Sequence, residues 1–433
     1  MFEAKARFDD AQGHRVLIVG GGVAGLDLAT GLGGREGLSV SLVDEASMHV
    51  WKPMLHSIAA GSQDAALVGV PYVAQARQHG FSYLPGRATR IDVEARHVVL
   101  APVERHGIVL LPERRVGYDT LVLATGSVAD SFGVPGVVQH TRHIDTLAEA
   151  IEAQGEIGAR LAAAVEAGGR LRIAIVGGGA TGVQLAAELL TIADSYDALG
   201  LGDARAALAI TLLDRGHRLL AAFPERVSAA AKARLESLGA GVRLDVVVEE
   251  ATATGLRIEG GEEVEADIAI WAAGVKGALP PVEGEVLDAG RSGRIAVDAH
   301  CRTERDGVFA IGDCAALVPA GAERPLPPTA QVAFQQALYL GRHLPAMIAG
   351  RSAPPFRYRD RGALVSLGDY DAFGALGDYG VFGEGFIRGR IAQAGHALLY
   401  RRHQVRLHGV RSALMLWIAD RARASALTAA KLR

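Results

Sequence analysis

Two clusters of glycines have the spacing that a backbone turn needs in order to bind a dinucleotide. In the first cluster, Gly20 permits a tight turn, Gly22 lets the backbone approach a pyrophosphate, and Gly25 lets a helix pack closely on the preceding strand. The N-terminus of that helix would present free N–H groups and the positive end of its dipole to the phosphates. Asp44 ends the next apolar run, where a carboxylate can bind ribose hydroxyl groups. The cluster therefore predicts a dinucleotide site.

A second cluster repeats this pattern about 157 residues later, which is repetition on the scale of a domain. It follows an apolar run, and Asp214 closes the next one. This carboxylate favours the free 2′-hydroxyl of NADH over the 2′-phosphate of NADPH. Arg215 and Arg218 could accommodate such a phosphate, although solvated loop cations are the simpler interpretation of both. The glycines of the second cluster are Gly177, Gly179 and Gly182.

The elements around both clusters follow the order strand, glycine turn, helix, which is typical of a βαβ unit with buried parallel strands. Residues 14–45 and 172–188 show this order, and 208–214 supplies the next strand of the second unit. The Ala- and Glu-rich residues 145–169 are expected to be helical, and 189–206 to form a helical insertion. The sequence therefore predicts an α/β fold. Further short strands that end in small-residue turns are expected at 119–126, 267–274 and 307–313.

Composition limits the other classes of protein. With 433 residues, 49% of them apolar, the chain can form two or three domains with substantial cores. The formal net charge of −3 argues against a basic protein that coats nucleic acid. Cys301 and Cys314 form neither a disulfide framework nor a metal-ligand pattern, so we expect a reducing compartment and no metal site. We expect no secretory signal at the charged start, and no apolar run approaches the roughly 18 to 20 residues of a membrane span.

A third motif completes a resemblance to the two-dinucleotide-binding flavoprotein superfamily. Residues 303–313, TERDGVFAIGD, are similar to the closing Gly-Asp motif of that superfamily, whose aspartate binds the ribityl chain of the flavin. The resemblance covers about residues 14–345 and implies FAD at the first cluster, NAD at the second and the ribityl role for Asp313. It also implies small-residue turns beside the cofactors. These turns are Thr125 and Gly126 near FAD, and Ala273 and Gly274 near NAD.

The same resemblance implies a division of the chain into two Rossmann-like dinucleotide-binding domains and a C-terminal amphipathic, membrane-associating segment. The FAD-binding domain is expected in two parts, with the NAD-binding domain between them. The expected ranges are 11–144 and 286–350 for the FAD-binding domain, 145–285 for the NAD-binding domain, and 351–433 for C-terminal strands and a basic tail.

The segment 51–61, WKPMLHSIAAG, narrows the branch of the superfamily. Disulfide reductases need a pair of cysteines there, and this segment contains none. The segment is instead similar to that of the type II NADH dehydrogenases. Sulfide:quinone oxidoreductases are a sister group that relies on well-placed cysteines. Cys301 and Cys314 are better interpreted as small buried hydrophobic residues.

Gln331 and Gln335 resemble the AQxxxQ pattern of type II NADH dehydrogenases, whose glutamines lie at the quinone site beside the flavin. Their i, i+4 spacing places both on one helix face. Two neutral amides could hydrogen-bond a quinone carbonyl without bringing an unpaired charge into an apolar slot. The chain departs from the family at Gln184, where a glutamate is usual, and Glu188 one turn later would not occupy the same position. This departure leaves the rate and the cofactor preference open.

The tail is strongly basic. From Phe386 to Arg433 it carries ten Arg or Lys residues against one acid, Asp420. Apolar residues recur among these cations, which predicts amphipathic helices of the kind that lie in a membrane interface. The alternatives are docking on the globular body or a homodimer interface. The apolar and aromatic residues of the tail include Leu399, Tyr400, Val405, Leu407, Val410, Leu414 and Trp417.

Taken together, the resemblance implies an NADH:quinone oxidoreductase of the type II kind. Such an enzyme passes hydride from NADH to FAD and two electrons on to a membrane quinone, without pumping protons. It would lie on the cytoplasmic face of the cell membrane. Three alternatives stay open from the residues alone: a soluble NAD(P)H-dependent reductase with a protein acceptor, a sulfide:quinone oxidoreductase-like enzyme, and a non-catalytic NADH sensor.

Overall fold

The chain forms two compact units, each assembled from separate stretches of sequence. The first contains 1–52, 69–128 and 275–358, and the second contains 53–68, 129–274 and 359–433. The cofactor-based domain boundaries given above stay a prediction, because compactness does not show which cofactor a unit binds. This computed structural model describes residues 13–198, 202–283, 287–290, 292–367, 371–376 and 385–388, and in the tail 404–407, 409–411, 413–415 and 417–418.

A five-stranded parallel sheet forms the centre of the first unit. Its strands are short and rich in Val, Leu and Ile, and side chains such as Leu17 and Ile18 are almost completely buried, as expected for a sheet covered on both faces. Burial of each such side chain stabilises the fold by about 1.5–3 kcal/mol. The strand order across the sheet is Val308–Ala310, Thr120–Leu123, His14–Val19, Leu38–Asp44 and Ser82–Pro85.

Because these strands are parallel, their carboxyl ends meet at one edge of the sheet, which is where ligands bind in open α/β sheets. Helix Val23–Leu32 starts from that edge and packs against helix Ala330–Ile348. Among the described residues, the third α-helix of the unit is Tyr72–His79. The remaining strands are Met48–His49, Val70–Pro71, Ala88–Asp92, His97–Leu100, Val103–Arg105, Ile108–Leu111, Arg114–Gly117, Val275–Gly277, Val282–Glu283, Ile295–Val297 and Ala315–Leu317, with Ser127–Ala129 at the unit boundary.

The second unit is built around a five-stranded parallel sheet of the same kind. Its strand order is Thr141–Arg142, Ile268–Trp271, Leu171–Val176, Leu208–Leu213 and Gly241–Arg243. An antiparallel sheet of Val248–Thr252, Gly255–Ile258 and Glu263–Glu265 packs its apolar side against the parallel sheet. The prediction of an α/β fold with two Rossmann-like units is confirmed.

The predicted helix within 145–169 is present as Leu147–Glu166. Thr146 caps it, and Glu149 completes a capping box by accepting from the Thr146 N–H. The predicted insertion near 189–206 continues helix Ala180–Ala198 and includes Ala204–Ala207. The other helices of the unit are Leu55–Ala60, Ala65–Val68, Val137–His140 and Glu225–Ser237.

The C-terminal part of the second unit contains an antiparallel sheet of Ala363–Leu367, Asp371–Leu376 and Gly385–Arg388. The described tail residues between 404 and 418 are helical. Leu407 is buried there, whereas Val410 and Leu414 are 71% and 54% exposed. The predictions for Leu399 and Tyr400 lie outside the described residues. Among the residues that the structure describes, no helix is both long and apolar enough to cross a bilayer.

Candidate functional site

Two positions of the first glycine turn have no room for a side chain. Gly20 has a φ of +102°, and a Cβ there would lie 2.3 Å from the Ala124 carbonyl oxygen. A Cβ on Gly25 would lie 1.7 Å from the Gly20 carbonyl oxygen. Gly22 differs, because it is exposed and no heavy atom of the described residues lies within 4 Å of a Cβ built on it. The turn is therefore tightly packed on the protein side and open above Gly22, as a backbone cradle for phosphates requires.

Asp44 lies at the carboxyl end of its strand and holds this turn. Its Oδ2 accepts the Gly21 N–H at 2.6 Å, and its Oδ1 accepts the Ala46 N–H at 2.8 Å. Burial raises the pKa of Asp44 above its usual value, although the two amide hydrogen bonds act in the opposite direction. The carboxylate thus joins the glycine turn to the strand beside the open edge.

The Gly21 carbonyl oxygen accepts two side-chain hydrogen bonds. The Tyr72 hydroxyl donates at 2.7 Å and His49 Nδ1 lies at 3.0 Å. Strands Met48–His49 and Val70–Pro71 pair antiparallel, and helix Tyr72–His79 follows at once, so the ladder brings both side chains to the turn. Sequence patterns did not identify either residue, because neither belongs to a cofactor motif and the pairing joins distant segments.

Asp313 lies in the turn after strand Val308–Ala310 and is linked to two further polar groups. Its Oδ2 accepts from the Ser127 hydroxyl at 2.8 Å, and Lys52 Nζ donates to the Ser127 carbonyl oxygen at 2.7 Å. Thr125 and Gly126 immediately precede Ser127, and Gly126 has a φ of +73°. The structure therefore brings these predicted FAD residues to the same edge of the sheet as Gly20.

Arg294 is a buried cation that the sequence analysis missed. It is 8% exposed, and its guanidinium donates to the carbonyl oxygens of Asp313, Ala315 and Leu326 at 3.1, 2.6 and 2.8 Å. Burial lowers the pKa of Arg294. Three backbone acceptors offset part of the cost of burying this charge. Arg294 thus ties the Asp313 turn to the segment that leads into helix Ala330–Ile348.

That helix carries the two glutamines predicted at the quinone site. Thr329 caps it by accepting the Val332 N–H, so Gln331 lies in its first turn and Gln335 one turn later on the same face. Gln335 is buried, and Gln331 is partly exposed. A third glutamine, Gln336, was missed by sequence and is buried, with its Oε1 accepting the Gly312 N–H at 2.7 Å.

The second glycine turn repeats the first in the second unit. Gly177 has a φ of +118°, a Cβ on Gly182 would lie 2.0 Å from the Gly177 carbonyl oxygen, and Gly179 is exposed over open space. Asp214 Oδ2 accepts the Gly178 N–H, and its Oδ1 accepts the Gly216 N–H at 2.6 Å. The predicted NAD residues therefore share one strand edge.

Ala273 and Gly274 follow strand Ile268–Trp271 at that edge. Gly274 has a φ of +67°, and a Cβ there would lie 2.3 Å from the Phe132 ring. The Gly274 carbonyl oxygen accepts the Asp130 N–H at 3.3 Å. The predicted small-residue turn is present. Position 274 favours glycine both because of its positive φ and because a side chain there would collide with the Phe132 ring.

The residues at the departure from the family pattern lie on helix Ala180–Ala198. Gln184 is buried, at 7% exposure. Glu188 lies one turn further on, and its Oε1 is 3.5 Å from the Ser57 hydroxyl of helix Leu55–Ala60. A carboxylate is therefore kept within this unit, but on a different turn of the helix.

The two cysteines are fully buried, as expected. Burial raises the pKa of both thiols, and for Cys314 it outweighs hydrogen bonds that involve Thr125 and Gly126. Thiols of this kind are poor nucleophiles, because the thiolate is the reactive form. Among the described residues, no group of three or more His, Cys, Asp or Glu side chains could hold a metal ion.

The geometry of both turns fits the dinucleotide-binding fold, and comparison with known proteins gives the class. Residues 14–337 match the pyridine nucleotide-disulphide oxidoreductase family, and the chain belongs to that family. Within it, the chain belongs to the type II NADH:quinone oxidoreductases. It is 36% identical to the type II NADH:quinone oxidoreductase of Haemophilus influenzae over 418 residues, which cover 91% of this chain and 94% of the relative.

Other relatives agree in name or in fold. The type II NADH:quinone oxidoreductase of Staphylococcus aureus is 30% identical over 372 residues, 83% of this chain and 89% of that protein. The fold is similar to NDH2 from Plasmodium falciparum in complex with NADH, with a TM-score of 0.77, 16% identity and coverage of 91% and 96%. It is also similar to the sulfide:quinone oxidoreductase of Aquifex aeolicus, with a TM-score of 0.70, 17% identity and coverage of 92% of each chain.

Proposed function

We propose that this protein oxidises NADH and reduces a membrane quinone through a bound FAD, without pumping protons. One observation carries the proposal: two glycine turns of the same atomic design lie in separate units of a chain whose relatives are named type II NADH:quinone oxidoreductases. Two dinucleotides can then bind at once, which a hydride transfer between them requires. FAD supplies the redox chemistry when bound, and the protein supplies placement and electrostatics.

The first unit holds FAD. The N–H groups of the turn at Gly22 and of the helix that begins at Val23 bind its pyrophosphate. Asp44 accepts the adenosine ribose hydroxyl groups, and Asp313 accepts those of the ribityl chain. Lys52 and Ser127 keep the Asp313 carboxylate oriented through their hydrogen bonds.

The second unit holds NADH in preference to NADPH. Asp214 places a carboxylate where the ribose lies, and a 2′-phosphate would meet it with like charge. The two cations that could offset this repulsion each have another contact. Arg218 donates to the carbonyl oxygens of Ala221 and Phe223, and the Arg215 guanidinium lies 5.4 Å from the centre of the Phe132 ring.

Gln331 and Gln335 bind the quinone. Their amides can donate to a quinone carbonyl, and the Gln335 side chain is largely withdrawn from water. A sulfide-oxidising reaction would need an accessible thiolate, and the burial of Cys301 and Cys314 argues against it.

The basic tail brings the protein to its lipid-soluble substrate. Exposed apolar side chains such as Val410, Leu414 and Met415 and the cation Arg411 suit an interfacial helix on anionic lipid. The face is the cytoplasmic one, where NADH is available.

Steady-state oxidation of NADH by a soluble quinone analogue tests the proposal. Gln331→Ala is expected to raise KM for quinone by about fivefold to tenfold, since one hydrogen bond contributes about 1 kcal/mol. Flavin reduction by NADH under anaerobic conditions should not change. Gln335→Met keeps side-chain volume and should have a similar effect. Gln139→Ala, at an exposed helix position, is the matched control. The quinone site is excluded if all three variants have the same KM for quinone.

A further inference from the structure

The two glycine turns differ in what holds the peptide carbonyl in front of the phosphate-facing glycine. In the second unit, the Gly178 carbonyl oxygen accepts the backbone N–H of Leu220 at 2.7 Å. In the first unit, the Gly21 carbonyl oxygen instead accepts from the side chains of Tyr72 and His49. One turn is therefore held by main chain and the other by side chains.

The geometry of a peptide makes this carbonyl important for the neighbouring amide. In a trans peptide the C=O and the following N–H lie in one plane and point in opposite directions. Gly21 is buried and Gly22 is exposed. A donor that fixes the Gly21 carbonyl towards the protein therefore fixes the Gly22 N–H towards the open edge, where the phosphates bind.

We propose that Tyr72 and His49 are positioning residues for FAD, which act by orienting the Gly21–Gly22 peptide towards the pyrophosphate. This inference rests on the proposed function for the identity of the ligand. It assigns a role to two side chains that lie outside every cofactor motif of the chain.

Several observations show that the Tyr72 hydroxyl is fixed on this acceptor. Tyr72 is 2% exposed, its ring lies 5.1 Å from that of Tyr83, and a Cβ on Gly21 would lie 2.4 Å from the Tyr72 oxygen. The Tyr83 hydroxyl in turn donates to the Ala46 carbonyl oxygen, beside the Asp44 carboxylate. The hydroxyl therefore has one fixed direction, and any larger residue at position 21 would displace it.

The protonation states of both donors suit the role. Burial raises the pKa of Tyr72 well above its usual value, so the hydroxyl stays protonated at neutral pH. Burial lowers the pKa of His49 to about 4, so the ring is neutral there. Because a carbonyl oxygen only accepts, the His49 proton lies on Nδ1. Two neutral donors fix the carbonyl without adding a charge that would remain buried in the absence of FAD.

The experiment is the dissociation of FAD from the full-length holoenzyme, followed by the fluorescence of the released flavin after dilution. Tyr72→Phe keeps the ring and removes the donor, so FAD should bind about five- to tenfold more weakly. Tyr118→Phe is the matched control in the same unit, because the buried Tyr118 hydroxyl has no hydrogen-bond partner among the described residues. That control should release FAD as the parent protein does.

Rescue separates positioning from general stability. His49→Leu should weaken FAD binding, whereas His49→Gln, which keeps a side-chain donor, should recover at least part of the loss. NADH affinity, measured on the same variants, should stay within about twofold of the parent, because the second turn does not use these residues. Equal FAD dissociation in Tyr72→Phe and Tyr118→Phe would overturn the proposal, and so would a parallel loss of NADH and FAD affinity. A protein that retains these effects but does not reduce quinone would disprove the proposed function alone.

Discussion

The two glycine turns are alike at the N–H of their second glycine and different at the carbonyl of that glycine. In both, a strand-end aspartate accepts two backbone N–H groups. One carboxylate oxygen accepts the N–H of the second glycine, and the other accepts the N–H of the residue two positions after the aspartate itself. The carbonyl of that same glycine, which belongs to the next peptide, is held by Tyr72 and His49 in one unit and by the Leu220 amide in the other. The two copies of the motif therefore share the aspartate that holds the glycine N–H, but the donors to the glycine carbonyl differ.

The difference shows how much of a cofactor site can be altered without changing its signature motif. A main-chain donor is present for any residue except proline, so the hydrogen bond to the Gly178 carbonyl does not depend on the Leu220 side chain. Side-chain donors disappear with one substitution, so the first turn depends on Tyr72 and His49. Equal glycine motifs thus need not imply equal sensitivity to mutation.

The largest expected effect on cofactor binding comes from Gly25 and Gly182, where the helix after each glycine turn packs closely on that turn. Gly25→Ala places a Cβ 1.7 Å from the Gly20 carbonyl oxygen, and Gly182→Ala places one 2.0 Å from that of Gly177. Overpacking against backbone costs about 1–3 kcal/mol or more, so each change should weaken binding of its own cofactor by about 5-fold to 150-fold or more. Gly25→Ala should purify without flavin, whereas Gly182→Ala should be yellow but not reduced by NADH.

Flavin content and NADH titration measure this pair of effects. Gly155→Ala, at an exposed position of helix Leu147–Glu166, is the control and should change neither. Loss of both cofactors in Gly25→Ala and in Gly182→Ala alike would contradict the assignment of one cofactor to each unit.

The next effect is a loss of folding stability at low pH. It is expected from the first turn only, because His49 is one of the groups that hold the Gly21 carbonyl. His49 is neutral when folded, with its pKa lowered by burial to about 4, and an unfolded histidine has a pKa near 6.5. The unfolded chain therefore binds the proton first, and stability that is complete above pH 6.5 is lost as the pH falls towards 4. The loss should approach about 3 kcal/mol at pH 4.

Denaturant unfolding between pH 7 and pH 4 measures this loss. Asp44, whose pKa is raised by burial, acts in the opposite direction over the lower part of the range, so the comparison must be between variants. His49→Gln keeps a donor but does not titrate, and its stability should fall less steeply below pH 6.5 than that of the parent. Parallel curves for the two proteins would show that His49 is not buried in its neutral form.

The smallest effect on cofactor affinity is expected at Leu220. This buried residue has a φ of +52°, a conformation that glycine adopts more easily. Leu220→Gly keeps the N–H that holds the Gly178 carbonyl, so NADH affinity should stay within about twofold, although loss of the side chain lowers the free energy of unfolding by about 2–4 kcal/mol. Isothermal titration with NADH measures the affinity. A tenfold loss of NADH affinity would show that the side chain, and not the amide, holds the turn.

The fold and the cofactor edges could be predicted because local patterns encode them. Apolar runs followed by glycines at fixed spacing specify parallel strands, turns and helices, and the strand-end positions of Asp44 and Asp214 follow from the same pattern. Parallel strands then bring Gly20, Asp44 and Asp313 to one edge, although they are far apart in sequence.

Residues that act through long-range contacts could not be predicted in this way. Tyr72 reaches Gly21 across 51 residues and Arg294 reaches Leu326 across 32, and neither contact leaves a periodic or spaced signal. Gln336 adjoins a recognised glutamine, but only the helix geometry shows that it points to the Gly312 amide. The roles of the predicted site residues stay predictions until cofactor binding is measured.

The central claim is that electrons pass from NADH in the second unit to FAD in the first and then to quinone. Anaerobic stopped-flow absorbance of the purified protein tests it most directly, with NADH added first and a soluble quinone analogue second. One equivalent of NADH should bleach the flavin, and quinone should then restore its colour. A flavin that stays oxidised while NADH is bound would contradict this electron path and indicate a nucleotide sensor. A reduced flavin that quinone does not reoxidise would indicate a different electron acceptor.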